Sequence, residues 1–263
     1  MIPGSLCARL REKKRRGKKV LVSYLVAGHP DGKEFLKRLD MVREVSDLVE
    51  IGFPFSDPLA DGATIQRAYH EVLERGLDLD GFFRLMAQAS SRNRKPLVLM
   101  SYLNPVLSYG LERAASRLAG LNFQAVLFPD LPLEEGESVR RVLNRFWIEL
   151  VHLLSPATGL ARARDILEGS QAFVYLVSLK GITGARRGIG EETLKYLRAL
   201  RKLSTKPLYV GFGISNPRQV ARLSPWADGV IVGSALLDCL GEGRQGEEKA
   251  RRFLNSLKQG FGP

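Results

Sequence analysis

The sequence predicts a (β/α)8 barrel. Eight short apolar runs, rich in Val, Leu and Ile, alternate with segments of helical character along the 263 residues. The runs are continuously apolar instead of alternating, as expected of parallel strands covered on both faces. Eight such units in roughly 250 residues match the usual size of this barrel. A doubly wound open sheet is the runner-up, but no Gly-x-Gly-x-x-Gly follows the first run. No linker, low-complexity segment or close repeat interrupts the chain, so one domain over 1–263 is expected.

An extra helix precedes the barrel. In residues 5–19, dense in Arg and Lys, Leu6 and Leu10 stand four apart and make one apolar stripe. Val20–Val26 is the first strand, ended by Gly28, Pro30 and Asp31; residues 32–44 are helical. Residues 48–51 form the second strand, followed by a Gly/Pro/Asp-rich loop to Gly62 and two helical segments on either side of Gly76. Strands are expected at 96–101, 125–128, 149–154 and 173–177, with helices at 112–118, 134–145 and 160–167 between them. A long loop over 178–190 carries Gly181, Gly184, Gly188 and Gly190. An amphipathic helix at 191–203, a strand at 208–210 and a helix at 217–223 follow, the last capped by Ser215 or Asn216. The eighth strand is 229–232, and a final helical region runs from Gly233 to about residue 258.

Composition narrows the function classes. The net charge of +12 permits nucleic-acid or anionic-substrate binding but also suits an ordinary basic enzyme. The basic run at 5–19 reads as a solvated helix face; no aromatics interleave to stack on bases, so no nucleic-acid partner is expected. The N-terminus lacks the apolar core of a signal peptide, and no run of about 18 apolar residues suggests a membrane span. Cys7 and Cys239 form no metal or redox motif, and a reducing, cytoplasmic setting is expected. His29, His70 and His152 show no ligand spacing, so no metal is expected. Six Asn and seven Gln beside abundant Arg hint at a thermophile.

The chemistry-bearing residues fall at the strand ends, where such barrels carry their sites. Glu50 is in the second strand and Asp61 in the loop after it. As residue types, the two acids read equally as helix caps or as an acid/base pair. Strand alternation puts Glu50 on one face with Leu48, and only the barrel interior can use a charge there. Above an aliphatic floor its pKa should rise; Asp61, on a polar loop, should stay ionised. Tyr175 is either a core aromatic or a hydroxyl at the site, bonding Glu50 or the substrate. The turns Gly211–Ser215 and Gly233–Ala235 follow the last two strands and open helices, the usual phosphate position of the fold. The run Gly181, Ile182, Thr183, Gly184 would close a third side.

Residues 49–62, with their fixed acids, glycines and prolines, resemble the signature of the tryptophan synthase alpha subunit family. Residues 24–30, 102–104, 129–132, 181–184, 211–215 and 233–234 are similar to family segments in the same order, so the resemblance spans essentially the whole chain. It implies retro-aldol cleavage of indole-3-glycerol phosphate to indole and glyceraldehyde 3-phosphate, with no cofactor in this chain. By resemblance Glu50 is the acid/base, Asp61 holds the indole N–H, and Tyr175 supports Glu50 or the substrate. Tyr24, Met100, Leu127 and Phe212 would line the indole pocket. Gly184, Gly213, Gly233 and Ser234, within turns that also hold Thr183 and Gly211, would take the phosphate.

The resemblance also implies a partner, a pyridoxal-phosphate beta subunit in an αββα assembly. It would be met through Pro54, Phe55 and Asp57 and the 130–132 turn. A stand-alone lyase releasing free indole, or a non-catalytic activating subunit, would share the same barrel. The chain departs from the family pattern at Ala63 (usually proline), His29 (commonly an acid) and Val26 (often threonine), and its sixth loop is more basic at Lys180, Arg186 and Arg187.

Overall fold

The computed structural model describes residues 5–59, 61–89, 95–177, 189–211, 213–241 and 243–262. Among them, eight parallel strands close into a barrel in sequential order, the eighth pairing with the first. The strands are β1 (Val20–Val26), β2 (Leu48–Gly52), β3 (Leu97–Met100), β4 (Phe123–Leu127), β5 (Glu149–Leu154), β6 (Val174–Val177), β7 (Leu208–Gly211) and β8 (Gly229–Val232).

Helix α1 (Leu6–Arg15) lies before β1, and α2 (Gly32–Val45) follows it. Helices α3 (Ala63–Glu74) and α4 (Leu79–Ala87) follow β2; α5 (Leu103–Tyr109) and α6 (Leu111–Gly120) follow β3. One helix follows each of the next four strands: α7 (Gly136–Arg145), α8 (Leu160–Gly169), α9 (Glu191–Leu203) and α10 (Pro217–Leu223). Helices α11 (Ser234–Cys239) and α12 (Gly243–Gln259) end the chain.

Two features depart from the sequence reading. Helix α5 is not among the expected elements; Pro105 sits in its first turn, where a missing N–H costs nothing. The final helical region is two helices, broken after Cys239 at a Gly-rich stretch where Gly243 has φ 66°. The long loop expected at 178–190 lies mostly outside the described residues.

Strand alternation divides the core in two. Leu21, Val49, Ile51, Leu99, Val126, Val210 and Val230 pack outward under the helices. Val22, Tyr24, Leu48, Val98, Met100, Ala125, Tyr175 and Tyr209 fill the barrel interior. Phe173 and Tyr209 stack there with ring centroids 4.6 Å apart.

Helix α1 contributes Leu6 and Leu10 to the interior cluster, and its Cys7 N–H donates to Glu149 Oε2 at 2.8 Å. Its basic run is only partly solvated. Lys13 pairs with Asp47 at 2.5 Å, and Lys14 Nζ donates to the Thr205 carbonyl, while Arg15 and Arg16 pair with Glu12 at the surface. Among the described residues no helix is long and apolar enough to cross a membrane.

Candidate active site

Glu50 is the middle residue of β2, in register with Tyr24 of β1 and Val98 of β3. All three belong to the interior layer or abut it, so alternation turned Glu50 inward as expected. Its carboxyl is 2% exposed, and neither oxygen has a hydrogen-bond partner in the structure. Burial, then the charge of Asp61, pushes its pKa up to about 8. Such a group is protonated at neutrality yet can ionise close to it.

Asp61 precedes α3, where Gly62 is the N-cap. The expectation of a solvated polar loop does not hold: Asp61 is 3% exposed. Burial raises its pKa to about 6, and a hydrogen bond from the Tyr102 hydroxyl to Oδ2, 3.1 Å long, pulls the other way. The ionised state at pH 7 therefore survives, but a specific donor supports it in place of bulk water. Phe55, in the same loop, stacks on the Tyr102 ring with centroids 4.6 Å apart.

Tyr175 rises from β6 over Gly211 at the end of β7, where an added Cβ would lie 2.4 Å from the tyrosine oxygen. Gly211 thus makes room for the ring. The hydroxyl does not donate to Glu50, whose oxygens are both unpartnered. Its pKa is raised by burial first and then by the charges of Glu50 and Asp61, and it lines the same cavity as Asp61.

A small cavity of about 30 Å³ collects Tyr24, Asp61, Met100, Tyr175, Gly213, Gly233 and Ser234 from six different strand ends and their loops. That volume suits about one water molecule. Leu127 pairs with Met100 in the register and is buried in the interior layer, but does not line this cavity. Thr183, Gly184 and Phe212 lie outside the described residues. In the turns after β7 and β8, Gly213 has φ 74°, a conformation that favours glycine. Asn216 caps α10 with a full capping box, its side chain accepting from Gln219 N–H at 3.0 Å. Gly233 caps α11 with no side-chain bond, leaving the first turn of that helix to other acceptors. Among the described residues, no three His, Cys, Asp or Glu side chains gather as metal ligands.

Sequence reasoning missed Ile65, Ile214 and Ile231 in the cavity wall, and Tyr69 and Tyr102 beside the acids. Helical spacing carried a signal for two of these. Ile65 and Tyr69 stand four apart on one face of α3, and Asp61 lies four residues before Ile65.

Known proteins resemble this chain in sequence and in fold. The model of the family "Tryptophan synthase alpha chain" matches residues 10–261. The tryptophan synthase alpha chain of Carboxydothermus hydrogenoformans is 40% identical over 232 residues, covering 87% of this chain and 86% of its own length. That of Arabidopsis thaliana is 38% identical over 250 residues, covering 93% and 91%. Among solved structures, the Legionella pneumophila alpha subunit superposes with a TM-score of 0.86 at 31% identity, covering 98% of both chains. A chain from the mutually activating a2b2 tryptophan synthase complex of the hyperthermophile Pyrococcus furiosus gives 0.85 at 34% identity, covering 90% of this chain and 97% of that one.

Proposed function

The chain belongs to the tryptophan synthase alpha chain family, and we propose that Glu50, Asp61 and the glycine turns after β7 and β8 carry that family's reaction here. The reaction is the retro-aldol cleavage of indole-3-glycerol phosphate to indole and glyceraldehyde 3-phosphate. The single observation that carries the reading is the Glu50 carboxyl: buried, unpartnered, its pKa raised to about 8 in reach of the Asp61 charge.

In this reading protonated Glu50 delivers its proton to the indole ring carbon that bears the side chain. The ring becomes cationic, and the indole N–H turns acidic. Asp61, ionised, accepts a hydrogen bond from that N–H and stabilises the charge in the transition state. Glu50, now a carboxylate, takes the proton from the adjacent side-chain hydroxyl. The carbonyl forms, the C–C bond breaks, and its electrons restore the neutral indole. Glu50 ends as it began. Tyr175, which lines the cavity with Asp61, supports the substrate there. Tyr24, Met100 and Leu127 form the apolar seat, with Phe212. Gly213, Gly233 and Ser234, with Thr183, Gly184 and Gly211, surround the phosphate.

The chemistry uses acid/base groups alone and needs no cofactor in this chain; pyridoxal phosphate belongs to the beta subunit. The partner is that beta subunit, in an alpha-beta-beta-alpha heterotetramer that receives the indole. Leu59, in the loop after β2, is 90% exposed and Leu107, in α5 after β3, is 50% exposed, apolar surface of the kind a docking face uses. We read the chain as one barrel domain working in the cytoplasm. Gel filtration and indole release, with and without a beta chain, test the assignment. A heterotetramer with faster turnover is expected; an alpha chain equally fast alone and indifferent to the partner would instead fit a stand-alone lyase.

A further inference from the structure

Helix α3 begins two residues after Asp61, and the loop before it is laced to the helix itself. Gln66 Nε2 donates to the Asp61 carbonyl at 2.8 Å and to the Pro58 carbonyl at 3.2 Å. Whatever fixes the first turns of α3 therefore fixes Asp61.

One buried bond does so. The hydroxyls of Tyr69, on α3, and Tyr24, on β1, lie 2.6 Å apart, and either can be the donor. Both side chains are buried. Tyr24 is held on two sides by glycines. At Gly52 an added Cβ would lie 1.9 Å from its hydroxyl oxygen, and at Gly233 one would lie 3.2 Å from its ring. The ring thus has one place to go, and its hydroxyl is presented to Tyr69.

A packing role alone does not need these hydroxyls. Two phenylalanines would fill the same space without burying polar atoms, which cost free energy unless bonded. The two oxygens satisfy one another, so neither is useful without its mate. Ile65 and Tyr69 share one face of α3, with Asp61 and Ile65 lining the cavity and Tyr69 bolted to the rim one turn further on.

We infer that the Tyr24–Tyr69 hydroxyl pair is a positioning device that pins α3 to the barrel rim and so sets where the Asp61 carboxylate meets the substrate. Tyr69 is a positioning residue; it acts through Asp61. The inference rests on the reaction proposed above and adds to it the element that holds one of its two acids in place.

The test uses the full chain and indole formation from indole-3-glycerol phosphate. Tyr69→Phe, Tyr24→Phe and the double variant are compared at a temperature well below their melting points, with circular dichroism confirming the fold. Each single change should lower kcat roughly 3–10-fold, the range of one net hydrogen bond, with KM within about twofold. The double variant should match the singles, because the hydroxyls work as one unit. In an Asp61→Asn background, Tyr69→Phe should cost less than about twofold, since the carboxylate it places is gone. A purely structural role would subtract the same factor in both backgrounds. Unchanged kcat in Tyr69→Phe, single losses that multiply in the double variant, or equal losses with and without Asp61 would each overturn the inference. A wild-type chain that makes no indole would overturn the reaction itself, which separates the two failures.

Discussion

The Tyr102 hydroxyl donates to Asp61 Oδ2 across 3.1 Å, and this bond opposes the burial that would otherwise keep the acid protonated. The donor stands two residues past β3, as the N-cap of α5, and Phe55 braces its ring. The second acid of the site is thus kept anionic by one side chain from the neighbouring strand end.

Tyr102→Phe keeps the ring and its stacking but removes the donor. The pKa of Asp61 then rises. The acid limb of kcat/KM should move towards neutral pH, with activity near pH 6.5 falling roughly 3–10-fold, as one hydrogen bond to a charged group allows. A pH profile of the variant that overlays that of the wild type would remove Tyr102 from the account.

The wild-type profile itself should be bell-shaped. Asp61 must be ionised, so kcat/KM rises as pH passes about 6. Glu50 must start protonated, so it falls as pH passes about 8. Initial rates between pH 5 and 9.5 give both limbs. A profile flat across that span would leave neither acid with its assigned proton.

The same acid limits stability. Folding lifts the Glu50 pKa from its ordinary 4.5 to about 8. The folded state then binds a proton more tightly than the unfolded one. Its contribution is fully present below the ordinary pKa and is lost as pH rises through about 8. The wild-type melting temperature should therefore drop between pH 5 and pH 9. Glu50→Gln cannot ionise, and should melt a few degrees above wild type at pH 8.5, about the shift of 1–2 kcal/mol in a domain this size, while differing little at pH 5. Parallel melting curves at the two pH values would contradict the burial argument.

Much of this was legible in the sequence because strands of a parallel barrel are local objects. Each of the eight apolar runs announced itself, and alternation from Leu48 was enough to turn Glu50 inward. The environment of Asp61 was not legible. Its neighbours in sequence are Ala60 and Gly62, which suggest a solvated loop; its neighbours in space are Tyr102, Ile65 and Tyr175. Burial of a loop acid is a tertiary fact, set by which strand ends meet. Gly52 and Gly211 carry the same lesson. Read along the chain they are turn or phosphate glycines, but in space they are the gaps into which Tyr24 and Tyr175 fit.

Gly52→Ala tests that last point. A methyl group 1.9 Å from the Tyr24 hydroxyl and 2.5 Å from Cζ must displace the ring. Overpacking of this kind costs about 1–3 kcal/mol, and the indole seat moves with it. A melting temperature several degrees lower and a clear loss of indole formation are expected. Gly120→Ala, at the end of α6 with open space around it, serves as the control and should change neither. Equal behaviour of the two variants would mean that Tyr24 is not held where the structure places it.

The central claim is that Glu50 moves the protons. It is tested most directly by indole formation from indole-3-glycerol phosphate in Glu50→Gln, with the fold verified by circular dichroism. Gln fills the same space and cannot exchange a proton. Activity should fall roughly 10²–10⁴-fold, the usual contribution of a general acid/base. Activity within about tenfold of wild type would show that another group does this work.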